Sequence, residues 1–243
     1  MKQINFKIIS NRQIAPGVFE IILEGDTTEI MSPGQFVNIK LDGFFLRRPI
    51  SVCDRDNNTL TLIYKVVGEG TEKLSQMKEN DILDILIALG NGFNTEVCGE
   101  SPLLVGGGVG IPPMYLLCKT LIKAGKKVQV ILGFNKKSEI FYEEKFKSLG
   151  ADVTVTTVDG SYGIKGFVTD AMKDIDYSYF YACGPIPMLK AVSDCSVTSG
   201  QLSFEERMAC GFGACVGCTC KTKYGAKRIC KDGPVLKKEE VLW

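Results

Sequence analysis

From the N-terminus to about Val97, apolar and polar positions alternate in short, β-branched runs: Asn5–Ile9, Gly17–Glu24, Gln35–Leu41, Pro49–Cys53 and Thr59–Val67. A period of two marks strands with one buried face. Pro16-Gly17, Pro33-Gly34 and Asp56-Asn57-Asn58 separate the runs at the spacing of a barrel or sandwich, and Gly70 to Lys78 interrupts them with one short helix. Near Cys98-Gly-Glu-Ser-Pro102 the pattern changes. Leu103-Leu-Val runs as a buried strand into Gly106-Gly-Gly-Val-Gly110, and Pro112 or Pro113 fits the first turn of a helix ending near Gly125. Val128–Phe134 is the next strand and Phe141–Leu149 the next helix. Residues 152–158, 166–174 and 177–182 continue the alternation, and Ile186–Asp194 is the last helix. Strand and helix in turn predict a parallel sheet covered on both faces. The fold class expected is therefore multidomain β plus α/β: an antiparallel β barrel over 1–98, a parallel α/β domain over 99–200 and a small C-terminal module over 201–243.

Composition narrows the chemistry. With 45% hydrophobic content in 243 residues the chain can bury large cores. Its 29 Lys and Arg against 28 Asp and Glu create no field for nucleic acid or an anionic membrane. The apolar run Ile82–Leu89 is broken by Asp84 and is too short to span a bilayer. Ten cysteines behind the start Met-Lys-Gln-Ile-Asn-Phe, which has no signal-peptide pattern, point to a reducing cytoplasm. There is no histidine, which removes the commonest general base and metal ligand, and there is no Gly-x-Ser-x-Gly elbow or Walker loop. Electron transfer fits this inventory better than hydrolysis.

The cysteines carry the most specific signal. Cys210-Gly-Phe-Gly-Ala-Cys215-Val-Gly-Cys218 followed by Cys230 is the C-x4-C-x2-C spacing, with a distant fourth thiolate, of a plant-type [2Fe-2S] site. Gly211, Gly213 and Gly217 let the loop curl so that amides face the cluster sulfurs. Cys220 shares a strand face with Cys218 and is the competing ligand; spacing selects Cys218. Tetrahedral zinc is the alternative, although zinc ribbons show two CxxC knuckles and this chain has one. The other six cysteines, at 53, 98, 118, 183, 195 and 220, read mostly as small buried hydrophobes.

Three further stretches are candidate ligand contacts. Arg48-Pro-Ile-Ser51 alternates faces along a strand, so Arg48 and Ser51 reach different parts of an extended ligand. Gly68-Glu-Gly-Thr71 at a strand-to-helix junction suits a phosphate, or is a turn with a cap. Gly106–Gly110 fails the dinucleotide fingerprint, because position 111 is Ile and the second strand ends in Gly133-Phe-Asn-Lys-Lys137 without an acidic residue. It remains a close backbone approach to a ligand or a tight strand-to-helix packing. Cys183-Gly-Pro185 follows the last buried strand, where open α/β sheets bind ligands.

Together, the barrel, the glycine and Cys-Gly-Pro turns and the cysteine loop resemble the ferredoxin-reductase superfamily with a fused [2Fe-2S] module. A narrower resemblance rests on Arg47-Arg-Pro-Ile-Ser51, Tyr64-Lys-Val-Val-Gly-Glu-Gly-Thr71, Asp159-Gly-Ser-Tyr-Gly-Ile-Lys-Gly-Phe-Val-Thr-Asp170, Phe204-Glu-Glu-Arg-Met-Ala-Cys-Gly-Phe-Gly-Ala-Cys215 and Asp232-Gly-Pro-Val. It is to the electron-transfer subunits of type B dihydroorotate dehydrogenases. That resemblance implies FAD held by Arg48, Pro49, Ile50, Ser51, Ile63, Tyr64, Lys65, Gly70 and Thr71, with Arg48 on the pyrophosphate and Ser51 near the ring. Ile50 departs from the family, many of whose members stack an aromatic ring there. It implies NAD(H) at Gly106, Gly107, Gly108, Gly110, Cys183, Gly184 and Pro185, with Cys183 and Ser51 beside the reacting rings, and the cluster on Cys210, Cys215, Cys218 and Cys230. It also implies an FMN-containing catalytic partner, two copies of each subunit, and electrons passing from dihydroorotate to NAD in pyrimidine (UMP) synthesis. Lys136 and Lys137 are cations suited to a 2′-phosphate; NAD rather than NADP is the expectation. A different reductase of the superfamily, serving ferredoxin and NADP or sulfide, is the near alternative. A zinc-stabilised binding module without redox chemistry is the remote one.

Overall fold

The computed structural model describes residues 1–243. Strands β1 (Lys2–Ala15), β2 (Val18–Glu24), β3 (Phe36–Ile39), β4 (Arg48–Arg55) and β5 (Thr59–Lys65), helix α1 (Glu69–Gln76) and strand β6 (Ile82–Leu89) make the N-terminal unit. The strands close in the order β1-β2-β5-β4-β3-β6, every neighbouring pair antiparallel. Alternation is the cause: along β6 the buried Leu83, Ile85, Ile87 and Leu89 interleave with more exposed neighbours, and the first three join Phe6, Ile8, Ile21 and Leu23 in the barrel core while Leu89 packs with the cluster that holds Phe36. Closure removes the free outer strands of an open sheet. β1 outruns the expected Asn5–Ile9 because it serves two partners: its first half pairs with β6 and, past an irregularity between Ile8 and Ser10, its second half pairs with β2.

The second unit is a sheet of β7 (Pro102–Gly107), β8 (Gln129–Phe134), β9 (Asp152–Thr157), β10 (Ile164–Lys165), β11 (Tyr179–Cys183) and β12 (Gly200–Ser203), all parallel. Helices α2 (Ile111–Lys123), α3 (Glu143–Leu149), α4 (Val168–Met172) and α5 (Ile186–Cys195) cover it. β7 lies between β8 and β11 and is buried at every residue, as its unbroken apolar run requires. α2 and α3 pack in the seam between sheet and barrel with Cys53 and Ile63, whereas α4 and α5 pack on the far face. The C-terminal module adds a hairpin of β13 (Thr219–Thr222) and β14 (Gly225–Arg228), a short α6 (Ile229–Asp232), and β15 (Val235–Lys237), which joins β12 antiparallel as the seventh strand. β12 and β15 are too short for periodicity to reveal.

Polar ties lock barrel to sheet. Lys119 of α2 donates to Asp54 of β4 at 2.9 Å. Glu20 of β2, 1% exposed, accepts from Arg12 (2.7 Å), from Tyr142 Oη (2.6 Å) and from Lys145 (2.8 Å), the last two at the start of α3.

Candidate functional site

The barrel wall is open at one place. β4 and β5 pair from Arg55↔Leu60 to Val52↔Leu62 and no further. Beyond that point Arg48–Ser51 is paired only with β3, and Ile63–Lys65 only with β2. Two of the expected ligand motifs therefore lie on strand edges that have parted from each other, with backbone donors and acceptors unspent. Such groups are open to water or to a flat polar ligand.

Side chains finish this cleft. The Arg48 guanidinium lies against Gly70, so closely that a Cβ there would sit 2.1 Å from Nε. The Phe44 ring is 4.7 Å from Arg48 Cζ. Phe44, Arg48, Val67, Gly68, Glu69, Gly70 and Thr71 line a cavity of about 360 Å³. Thr71 Oγ1 accepts from the amides of Val67 (2.9 Å) and Gly68 (3.2 Å), fixing the turn into α1. Glu69 and Glu72 occupy the helix's first turn, so the positive charge for an anion comes from Arg48. Pro49, Ile50 and Ser51 are half-buried, and Ile50 packs on the barrel core. Ile63 is buried in the seam between barrel and sheet. Tyr64 faces inward, stacked on Phe19 at 5.8 Å, with its hydroxyl donating to Asn11 at 2.9 Å and burial pushing the phenol up to about 12. At Tyr64 only the backbone is open to the cleft; Lys65 is exposed.

The two turns of the sheet meet each other. Gly106 pairs with Cys183 in the ladder, and a Cβ at Gly110 would strike the Cys183 carbonyl oxygen at 2.3 Å. A Cβ at Gly107 would meet Met188 Sδ at 2.4 Å, and one at Gly184 would meet Met188 Cε at 2.6 Å. Internal packing thus accounts for Gly106, Gly107 and Gly110. Gly108 differs: it has φ +53° and open space where a side chain would be, so its backbone is free for a ligand. The Gly108–Gly110 turn also approaches β5. Pro185 opens α5. Cys183 is half-buried, and burial pushes its thiol up to about 12, so it is a neutral group. At the end of β8, Lys137 turns its ammonium toward the Tyr162 ring (5.7 Å) while the Glu139 carboxylate accepts from Asn135 Nδ2 at 3.0 Å.

The cysteines form two pairs. Cys215 Sγ lies 3.4 Å from Cys210 Sγ, and the Cys215 amide donates to Cys210 Sγ at 3.4 Å. Cys218 Sγ accepts from the Cys230 amide at 3.4 Å, and both residues are buried. Two thiolate pairs suit a two-iron rhomb, in which each iron takes two cysteines, better than one tetrahedral zinc. Burial opposes ionisation of Cys210, but the amides of Cys215, Phe212 and Ala214 and the Cys215 thiol outweigh it and hold the group at about 6. Burial and the neighbouring Cys218 push Cys230 up to about 12. Cys220 sits in the hairpin ladder opposite Lys227, half-buried, and makes none of these sulfur contacts. Gly211 and Gly213 take φ of +77° and +88°. Of the remaining cysteines, 53, 98 and 118 are buried as expected, whereas Cys195 is exposed.

Residues outside the motifs build this loop. Arg228 Nη1 donates to the Gly213 carbonyl at 2.7 Å, and Asp232 accepts from the Arg228 amide at 2.9 Å, holding the Cys230 segment to the loop. Asn38 Nδ2 reaches from β3 to the Cys210 carbonyl at 3.3 Å. Its one signal in the sequence is a polar residue inside the apolar Phe36-Val-Asn-Ile39.

Comparison with known proteins decides the family. Residues 205–242 match the iron-sulfur cluster binding domain of dihydroorotate dehydrogenase B, and residues 104–194 match the oxidoreductase NAD-binding domain. Over 255 residues the chain is 45% identical to the dihydroorotate dehydrogenase B (NAD(+)) electron transfer subunit of Bacillus pumilus, covering 99% of this chain and 98% of that one. The chain belongs to this family. The Bacillus mycoides member is 43% identical over 258 residues, covering 100% of this chain and 99% of its own. Among solved structures, an NADH-dependent reduced ferredoxin-NADP oxidoreductase studied for flavin-based electron bifurcation is 33% identical, with a TM-score of 0.89 over 98% of this chain and 90% of that one. A Neisseria gonorrhoeae ferredoxin NADP+ reductase with bound FAD and NADP shares the fold at 17% identity and a TM-score of 0.68, over 80% of this chain and 90% of that one. The family member described here is an oxidoreductase subunit with a ferredoxin-reductase fold, and all four paired cysteines fall within its cluster-binding segment. No helix is long and apolar enough to cross a membrane.

Proposed function

We propose that this chain carries electrons from dihydroorotate, oxidised in an FMN-containing catalytic subunit, to NAD+ through a [2Fe-2S] cluster and FAD, in a complex holding two copies of each subunit. The observation that carries the reading is that three segments come together beside the β3–β4–β5 wall of the barrel. The seam between β4 and β5 lies open there, the Gly108–Gly110 turn approaches β5, and the cysteine loop is hydrogen-bonded to β3, the ladder partner of Arg48–Ser51.

Residues 1–98 hold the flavin, 99–200 the nicotinamide nucleotide and 201–243 the cluster. FAD supplies the exchange between hydride and single electrons that the cluster cannot make alone. Arg48 neutralises its pyrophosphate beside Gly70 and Thr71, and the parted edges at Pro49, Ile50, Ser51 and Ile63–Lys65 offer backbone groups to its ring. Gly106–Gly110, through the free backbone of Gly108, and Cys183-Gly184-Pro185 would seat NAD, and Cys183 and Ser51 would stand beside the reacting rings as neutral groups. Cys210 and Cys215 bind one iron, Cys218 and Cys230 the other. Glu139 at the end of β8 favours NAD, since its carboxylate opposes a 2′-phosphate despite Lys136 and Lys137. Free cysteines throughout suit a cytoplasmic enzyme of pyrimidine synthesis.

The test is reconstitution with an FMN-bearing catalytic subunit. Dihydroorotate-dependent reduction of NAD+ is expected, and NADP+ is a poor substitute. The likeness to the bifurcating oxidoreductase favours a second reading, electron exchange among NADH, ferredoxin and NADP. Activity of that kind without any response to dihydroorotate would replace the first reading.

A further inference from the structure

β3 is buried at all four positions, yet it contains Asn38, 1% exposed, where a Val or Leu would fill the same space without polar atoms. Asn38 Nδ2 donates to the carbonyl of Cys210 at 3.3 Å, while Oδ1 has no partner. Leaving a buried acceptor unmet is unfavourable, so this residue is not explained by packing. The cysteine loop is shaped to receive it: a Cβ at Gly211 would lie 2.4 Å from Asn38 Nδ2. In the barrel ladder Asn38 stands opposite Pro49, inside the flavin motif. Its own backbone is held in turn, because Arg47 donates to the Asn38 carbonyl at 3.3 Å and pairs with Asp84 at 2.9 Å. One residue thus touches the first cluster ligand and adjoins the flavin strand.

We propose that Asn38 is a positioning residue for electron exchange between flavin and cluster. Its carboxamide pins the Cys210 loop to β3 and so sets the separation across which the electron passes. The step oxidises reduced FAD by one electron and reduces the ferric pair of the cluster by one, with no bond made or broken. The inference rests on the flavin and cluster sites argued above.

The test uses the assembled complex, rapidly mixed with NADH under anaerobic conditions, with flavin and cluster absorbance followed separately and iron and flavin contents measured. Asn38→Leu keeps the volume and loses the amide; Asn38→Asp keeps the shape and loses the donor. Both are expected to reduce flavin at the wild-type rate, retain iron and flavin, and slow the following cluster reduction several-fold. A shifted electron paramagnetic resonance signal of the reduced cluster is expected alongside. Wild-type cluster reduction in either iron-replete variant overturns the proposal. Loss of iron from both with flavin retained also overturns it, assigning Asn38 to cluster assembly instead. If the wild-type complex itself shows no flavin or no iron-sulfide absorption, the underlying site reading has failed rather than this inference.

Discussion

Arg48–Ser51 and Cys210–Cys218 are held in place by opposite means. The first lies on a strand with a ladder on one side and a gap on the other, so the barrel's own strand pairing shapes the cleft. The second has no regular structure from Phe204 to Cys218 and depends on side chains reaching in from Asn38 and Arg228. A preformed cleft tunes what it binds by where its backbone is left unpaired. A loop of this kind takes its final shape together with its metal.

The largest effect expected from this contrast follows removal of one thiolate. Cys218→Ser should reduce iron from about two atoms per chain to none and leave flavin binding intact, as iron assay and absorbance of the purified protein will read. If the flavin is lost as well, the two regions are not separable. Next comes Gly70→Val, whose Cβ, placed 2.1 Å from Arg48 Nε, displaces the guanidinium. Losing a charge-assisted contact worth about 2–3 kcal/mol weakens FAD binding roughly 30- to 150-fold. Flavin fluorescence titration measures it, with iron content unchanged.

Glu20 probes the frame behind both regions. Burial alone would raise its pKa, but hydrogen bonds from Lys145, Tyr142 and Arg12 outweigh that and bring it from 4.5 to about 2. A carboxylate with a lower pKa folded than unfolded stabilises above the unfolded value, and that stability disappears as pH falls from about 4.5 toward 2. The difference is worth about 3 kcal/mol at neutral pH. Denaturant unfolding of Glu20→Gln should show a loss of that order at pH 7, narrowing below pH 4.5; a constant difference at every pH would refute the role given to its charge. The smallest effect belongs to Cys220→Ser, expected to cost less than about 1 kcal/mol and to retain full iron.

Long patterned segments made most of the barrel and the parallel sheet legible: β5 declares itself through the alternation of Thr59-Leu-Thr-Leu62 and β7 through an unbroken apolar run, whereas β6 reads in the sequence only as an apolar stretch and alternates in its burial. β10 and β12 to β15, two to four residues each, are held by neighbours and carry no pattern of their own. Cysteine spacing marked the cluster because its ligands are mostly local in the chain. Asn38 and Glu20 were hidden because their partners lie far away, Asn38 reaching Cys210 and Glu20 reaching Tyr142, so that only tertiary structure brings them together. The inward direction of Tyr64 was readable, since parity places it with Leu60 and Leu62 on the buried face of β5.

The most direct measurement is the visible spectrum of anaerobically purified protein before and after NADH. Flavin bands superposed on broad iron-sulfide absorption are expected, both bleached by NADH, a result that puts nicotinamide, flavin and cluster in one electron path. Flavin that bleaches with no iron-sulfide absorption in iron-replete protein would contradict the cluster site, and a colourless protein holding zinc would contradict the account as a whole.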